Sequence, residues 1–160
     1  MMLRILTEAD EAVLLDLLTN EQIKQTYMLP DYPCREDAIP LARKLMRLSQ
    51  DENHFVRGMD QDGQVVGFLN DVEIETDSIE LGYVVHPDHW GQGFATAALK
   101  LAIAELFRKS YRAVLCGAFE ENPASLRVME KAGMQRIAKT DTIDHRGNSH
   151  LCLYCSIERT

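Results

Sequence analysis

The chain has 160 residues, of which 46% are hydrophobic and 26% are charged, a composition typical of one soluble globular domain. Its formal net charge of −8 disfavours a nucleic acid partner, because phosphates require Lys and Arg, and is compatible with a cationic partner such as an amine. No apolar run reaches the ~20 residues of a membrane span, and the N-terminus lacks a signal-type cleavage ending. We therefore expect one domain over residues 1–160, located in the cytoplasm, with no membrane partner.

The first third of the chain is predicted to hold one strand and two helices. Residues 3–7 form a short strand candidate, and Thr7 is placed to cap a helix that ends at Leu18. The polar segment 19–34 contains two prolines and predicts a loop or a short helical turn. Apolar residues at helical spacing predict a second helix over 35–49, with Pro40 in its first turn or at a kink.

The hydrophobic period then changes to that of strands, and two further helices follow. The predicted elements are, in order, strands 53–59, 64–75 and 78–86, a helix over 94–110, a strand over 112–122, a helix over 123–133, and strands 134–144 and 149–158. The order is β-α-α-β-β-β-α-β-α-β-β, with one crossover-type helix after the fourth strand. It predicts an α/β chain of the α+β type, with a mixed, mostly antiparallel sheet of about seven strands and about four helices.

Four cysteines are best explained as free thiols of a cytosolic protein. Cys152 and Cys155 form a C-x-x-C pair inside the last predicted strand. Residues three apart on a strand point to opposite faces, so the two sulfurs should diverge and not share a metal. We predict buried apolar cysteines and no metal site.

The stretch "HPDHWGQGFATAALK", His86 to Lys100, places two glycines where a strand runs into a helix. The first N–H groups of a helix lack internal partners, and glycine lets an anion approach them closely. A P-loop would need Lys and then Ser or Thr after the second glycine, and "FATAA" follows instead. A dinucleotide turn would need a third Gly or Ala where Thr96 stands. The dinucleotide design is therefore weak, and a third competing design is a phosphate site for an acyl-CoA.

Two motifs support that third design through a family resemblance. "ELGYVVHPDHWGQGFATAAL" resembles the signature of the GNAT acetyltransferases, and is most similar to the branch of ribosomal-protein N-acetyltransferases that modify protein N-termini. The family's turn is written (Gln/Arg)-x-x-Gly-x-(Gly/Ala), and Trp90 occupies its first position here. About 30 residues downstream, "ENPASLRVMEKAGM" resembles the family's N-x-x-S…K-x-G-F element, with Met134 in place of the commoner Phe.

The resemblance extends over the element order of the whole chain and implies one N-acetyltransferase domain that uses acetyl-CoA. In the family the fourth and fifth strands splay apart, and the pantetheine arm enters the gap and pairs with backbone at the positions of Val84 and Val85. Val85 N–H is then a candidate donor to the thioester oxygen. The cofactor-binding residues implied by the resemblance are Val84, Val85, Gln92, Gly93, Phe94, Ala95, Thr96, Asn122 and Ser125.

The catalytic candidates are Glu80 and Ser125. Many relatives have a Glu near the amine at the position of Glu80, so we expect it to be the general base, although a half-exposed strand carboxylate is the plain alternative. Ser125 is a candidate donor to the leaving thiolate, or an ordinary first-turn serine. Asn122 is a contact to the cofactor arm, a helix N-cap, or both. Many relatives have, where this chain has Met129, a Tyr that acts as the general acid.

The acceptor side is expected to involve Tyr27 and Tyr32, which fall where the family builds its acceptor site, and Glu73. Glu73, Glu75 and Asp71 are weaker candidates for the base, or form an acidic mouth that attracts an ammonium. The predicted reaction is direct attack by a primary amine, either a protein N-terminus or a small molecule, on acetyl-CoA. The rival reading is a non-catalytic acyl-CoA-binding sensor or scaffold, and a homodimer is common in the family.

Overall fold

A computed structural model describes all 160 residues as seven strands and five α-helices with three short 3₁₀ helices. The strands are β1 (Met2–Arg4), β2 (Val56–Gln61), β3 (Gln64–Ile74), β4 (Ser78–Val85), β5 (Ala113–Phe119), β6 (Gln135–His145) and β7 (Asn148–Glu158). The helices are α1 (Glu11–Leu18), α2 (Glu21–Lys24), α3 (Ile39–Ser49), α4 (Phe94–Arg108) and α5 (Pro123–Lys131). The 3₁₀ helices are Glu8–Asp10, Arg35–Ala38 and Pro87–His89.

All seven strands belong to one sheet in the order β1-β2-β3-β4-β5-β7-β6. Neighbouring strands are antiparallel except β4 and β5, which run parallel because α4 connects them as a crossover. The predicted mixed and mostly antiparallel sheet is therefore confirmed.

The two parallel strands pair along only half of β4. Their register runs from Ser78 opposite Ala113 to Leu81 opposite Cys116 and stops there. Beyond that point β4 continues paired with β3 alone, and β5 continues paired with β7 alone. This is the predicted splay, and it opens a gap in the middle of the sheet.

One face of the sheet is covered by α1 and α3. Their buried leucines form a core with apolar side chains of β2, β3 and β4, among them Phe68 and Val84. Pro40 lies in the first turn of α3, and the helix continues to Ser49. The first-turn placement of this proline is thus confirmed.

The other face is covered by α4 and α5. Leu99 and Leu106 of α4 and Met129 of α5 are fully buried against β4 and β5. Because α4 is anchored along its length in this core, its first turn is held in a fixed position at the end of the gap.

The segment between α1 and α3, predicted as a loop or a short helical turn, contains the single turn α2. Asn20 caps it, since its Oδ1 accepts from the Ile23 N–H at 3.1 Å. The buried His145 of the β6–β7 hairpin hydrogen-bonds through Nε2 to the Lys24 carbonyl oxygen at 2.6 Å. This contact joins α2 to the hairpin across the face of the sheet.

Three of the four free cysteines are buried. Cys155 packs in the core under α4 and α5, whereas Cys152 lies in a small cluster with Phe119 and Tyr154. The C-x-x-C sulfurs therefore diverge, as predicted from the strand period. No group of three or more His, Cys, Asp or Glu side chains is arranged for a metal ion, and no helix is both long and apolar enough to cross a membrane.

Candidate active site

A groove with a volume of about 550 Å³ follows the gap between β4 and β5. Its walls come from the end of β4, the middle of β5, the turn before α4 and the first two turns of α5. Gly82 and Gly117 are the first residues of the two strands beyond their last pair. The groove therefore begins where the sheet loses its hydrogen bonds.

Backbone groups of β4 face this gap. His86 N–H donates to the Val66 carbonyl of β3 at 2.8 Å, and N–H directions alternate along a strand. The N–H groups of Val85 and Tyr83 consequently point away from β3, toward the gap. The Val85 carbonyl accepts from the indole Nε1 of Trp90 at 2.7 Å.

The turn before α4 presents six consecutive N–H groups with no partner in the protein. Ala97 is the first residue of the helix whose N–H is bonded, to the Gly93 carbonyl at 3.0 Å. The unpartnered N–H groups belong to Gly91, Gln92, Gly93, Phe94, Ala95 and Thr96. Free N–H groups and the positive end of the helix dipole together favour an anion.

Both glycines of this turn have left-handed backbone angles. Gly91 has φ +74° and Gly93 has φ +82°, a region that other L-residues adopt only with strain. A Cβ at either position would meet no protein atom within 4 Å. The space beside each glycine is therefore open to a ligand.

Asn122 and Ser125 lie together at the start of α5 and line the groove. Asn122 Oδ1 accepts from the Ser125 N–H at 3.2 Å, so its role as a helix N-cap is confirmed. The Tyr83 hydroxyl lies 2.7 Å from Ser125 Oγ and donates to either that oxygen or the Ser125 carbonyl oxygen at 3.0 Å. Met129 is fully buried in the core.

Burial raises the pKa of the Tyr83 hydroxyl, so this group stays protonated near neutral pH. A protonated Tyr83 is always available as a donor to Ser125 Oγ. When it donates there, the serine proton is free to point into the groove.

Two basic side chains on α5 were not singled out from the sequence. Arg127 and Lys131 line the groove, are exposed and take part in no ion pair, although the chain carries a net charge of −8. They lie four residues apart, on one face of the helix. Two basic residues four apart on a predicted helix are the sequence signal that identifies them. The two cations suit a phosphate-bearing ligand.

Glu80 lies on the face covered by α1 and α3, two residues before Gly82 and four before Val84. Val84 packs in the core of that face, and Gly82 lies against Tyr27, so the predicted alternation of these three residues is confirmed. Glu80 is half-buried. Burial raises the pKa of the Glu80 carboxyl; Lys139 opposes that shift, whereas Glu73 adds to it.

The other acidic candidates differ in their surroundings. Glu73 is exposed and lies directly opposite Glu80 across the β3–β4 pair. Asp71 is occupied structurally, because its Oδ2 accepts from the Phe55 N–H at 2.7 Å. Glu75 is exposed near the β3–β4 turn. Of the four, Glu80 and Glu73 are the pair that share one face near the gap.

The two tyrosines predicted on the acceptor side are placed differently. Tyr27 lines the groove, and its hydroxyl donates to Asn70 Oδ1 at 2.6 Å. Tyr32 packs against the core beneath α1 and α3 and does not line the groove. Of the two tyrosines, the structure therefore places only Tyr27 in the groove.

Comparison with known proteins agrees with this arrangement. The model of the acetyltransferase (GNAT) domain matches residues 1–135. The chain is 23% identical over 141 residues to the uncharacterized N-acetyltransferase YoaA of Bacillus subtilis, covering 85% of this chain and 80% of that protein.

Solved structures share the fold at low identity. Spermidine N-acetyltransferase from Vibrio cholerae, in complex with CoA and spermine, superposes with a TM-score of 0.82 at 20% identity, covering 98% of this chain and 94% of that one. Ribosomal-protein-alanine N-acetyltransferase from Brucella melitensis superposes with a TM-score of 0.79 at 20% identity, covering 99% of this chain and 100% of that one.

The site thus combines a splayed mixed sheet with a turn of unpartnered N–H groups at the end of the gap. The chain belongs to the GNAT acetyltransferase family, since the family model matches most of its length. The resemblance drawn from the two sequence motifs is confirmed.

Proposed function

We propose that the chain is a single N-acetyltransferase domain that moves an acetyl group from acetyl-CoA to a primary amine. The observation that carries this proposal is the row of six unpartnered N–H groups at the head of α4, beside an open gap lined by strand backbone. The pyrophosphate binds to the N–H groups of Gln92, Gly93, Phe94, Ala95 and Thr96, and the pantetheine arm pairs with the backbone of Val85, whose N–H faces the gap. The Val84 N–H points toward β3, so the backbone pairing expected at Val84 is not part of this proposal.

The rest of the groove fits the same ligand. Arg127 and Lys131 line the groove and offer unpaired positive charge to the phosphates. Asn122 contacts the arm where α5 begins. The Trp90 indole holds the Val85 carbonyl, so an amide N–H of the arm that pairs there displaces the indole or pairs beside it.

Transfer proceeds by direct attack within a ternary complex. Glu80 takes a proton from the acceptor ammonium, directly or through water, and the neutral nitrogen attacks the thioester carbon. The Val85 N–H donates to the oxyanion that forms. The nitrogen, positively charged after the attack, loses its second proton to solvent as the carbon–sulfur bond breaks, and Glu80 releases the first proton to solvent. Ser125 donates to the leaving thiolate while Tyr83 donates to Ser125 Oγ. Protonated solvent restores the serine proton.

The acceptor is a primary amine, and the acidic face that holds Glu80 and Glu73 favours a cation on approach. The similar structures act on small polyamines and on ribosomal protein, by their names. A protein N-terminus and a small-molecule amine are therefore both included in the test.

The decisive experiment follows thiol release from acetyl-CoA with a panel of peptides and small amines. The proposal expects release that depends on both the protein and an amine. Tight acetyl-CoA binding without release above the rate seen in the absence of protein would instead support a non-catalytic acyl-CoA sensor. This second outcome is tested because Met129 occupies the position where many relatives have a Tyr that acts as general acid.

A further inference from the structure

Two tyrosine side chains lie on the Glu80 face of the sheet, where β4 and β5 separate. A Cβ on Gly82 would lie 2.7 Å from the Tyr27 hydroxyl oxygen, and a Cβ on Gly117 would lie 2.7 Å from Tyr154 Cε1. Only glycine leaves room for these rings. The two first unpaired residues of the gap therefore each lie against a tyrosine ring on this face.

The hydroxyls of the two tyrosines are used differently. Tyr27 donates to Asn70 at 2.6 Å. Tyr154 is only 5% exposed, yet no nitrogen or oxygen of the chain hydrogen-bonds to its hydroxyl. Its polar neighbour is the thiol of Cys152, which is a weak partner. Buried hydroxyls normally have a strong partner, so this one is available to a ligand.

The Tyr154 hydroxyl is not sealed inside the protein. No fully buried side-chain oxygen in the structure lacks a partner, which means that this oxygen keeps access to solvent. The ring is fixed by its contact with Gly117, whose backbone lines the groove. The hydroxyl thus belongs to a ring that lies against the first unpaired residue of β5, and its hydrogen-bonding capacity is unused.

The surroundings of Tyr154 favour a neutral amine over a second ammonium group. Lys139 Nζ lies 4.5 Å from the centre of the Tyr154 ring, so the ring already holds one ammonium group on its face. Glu80 lies on the same face of the sheet, since Glu80 pairs with Leu115 and Tyr154 pairs with Gly117, two residues further on. Burial raises the pKa of the Tyr154 hydroxyl, so it remains a neutral group.

Building on the proposed function, we infer that the Tyr154 hydroxyl binds the acceptor nitrogen and makes the site selective for primary amines. A neutral primary amine has two N–H groups and one lone pair. If one N–H donates to the Glu80 carboxyl or its water and the other to the Tyr154 oxygen, the lone pair is directed at the thioester. A secondary amine has one N–H and cannot satisfy both acceptors.

Tyr154→Phe tests this inference because the hydroxyl has no strong partner in the protein. The assay compares kcat/KM for the best primary amine of the panel with that for its N-methyl derivative. We expect the variant to lose about three- to tenfold in kcat/KM for the primary amine, the effect of one neutral hydrogen bond. The preference for the primary amine should fall by the same factor, with unchanged KM for acetyl-CoA.

Tyr111→Phe is the matched control, since Tyr111 is half-buried outside the groove. It should leave all of these constants unchanged, and both variants should keep the thermal midpoint of the wild type. An unchanged amine preference in Tyr154→Phe, or an equal change with both amines, would overturn the inference while the proposed function stands. Absence of thiol release from the wild type with every amine would overturn both.

Discussion

Gly93→Ala is the most informative single change at the glycine turn. The φ of Gly93 is +82°, and an added Cβ would meet no protein atom within 4 Å. The protein itself therefore has room for the methyl group, and the only steric conflict is with a ligand that lies against the turn. The backbone cost of alanine in this left-handed conformation is about 1–2 kcal/mol.

Gly93→Ala should also weaken acetyl-CoA binding, for a reason separate from the backbone cost. The methyl group occupies the space that a pyrophosphate needs in order to reach the N–H groups. Loss of one or two hydrogen bonds to a charged phosphate, at about 1.5–3 kcal/mol each, weakens acetyl-CoA binding by at least about tenfold. Gly93→Asp should weaken it further, because a carboxylate adds like charge.

Gly63→Ala is the control, because Gly63 has φ +87° and equally open surroundings in the β2–β3 turn, outside the groove. Thermal melts should show a similar fall of about 2–8 °C for both alanine variants. Calorimetric titration with acetyl-CoA should separate them, since only Gly93→Ala loses affinity. Equal affinity in the two variants would refute the assignment of the turn as the phosphate site.

Three further changes test other parts of the account. Glu80→Gln should remove the acid limb of the pH profile of kcat. In the wild type, kcat should rise as pH passes through the raised pKa of Glu80, because only the carboxylate can accept a proton. A variant that keeps both the rate and the acid limb would assign the base to another residue. Ser125→Ala should lower kcat more than it raises the KM for acetyl-CoA. Adding Tyr83→Phe to Ser125→Ala should lower kcat little further, because Tyr83 acts through Ser125 Oγ. Additive effects of the two changes on kcat would contradict this shared role. Asp10→Asn should lower the free energy of unfolding at about pH 7, because two N–H groups of Arg4 bond Asp10 at 2.9 Å each and hold the pKa of that carboxyl below its ordinary value. This stabilisation is complete above the unfolded pKa near ~4 and is lost as pH falls through the folded pKa, so urea unfolding should bring the two proteins together at low pH; a constant difference would exclude the carboxylate as its source.

The glycine turn was predictable because its determinants are local. A strand pattern, two glycines one residue apart and a helical pattern are all contained in 78–110. Positive φ at Gly91 and Gly93 and free N–H groups at the head of α4 follow directly from that order. The strand period likewise predicts that Glu80 and Gly82 lie on one face.

Contacts between distant segments were not predictable in the same way. Tyr154 lies over Gly117 because β5 pairs with β7 in one register, and the sequence pattern alone does not specify which residues face each other. The Tyr83–Ser125 contact joins β4 to α5 across the gap. The Trp90 indole reaches the Val85 carbonyl only because the turn folds back on the strand.

The short helix α2 was not predictable for a third reason, its length. Its four residues lie within a segment with two prolines, and a single turn has too few residues for a hydrophobic period to be read. Its position depends on the cap at Asn20 and on the contact of Lys24 with His145. The segment that follows α2 carries Tyr27, which lines the groove, and Tyr32, which does not.

Initial rates over a matrix of acetyl-CoA and amine concentrations test the central claim most directly. Direct transfer requires both substrates in the groove at once, so double-reciprocal plots should intersect, and no acetylated protein should accumulate when acetyl-CoA is supplied alone. Parallel lines together with a covalent acetyl-protein would contradict the account, because the acetyl group would then pass through a residue of the chain and not straight to the amine.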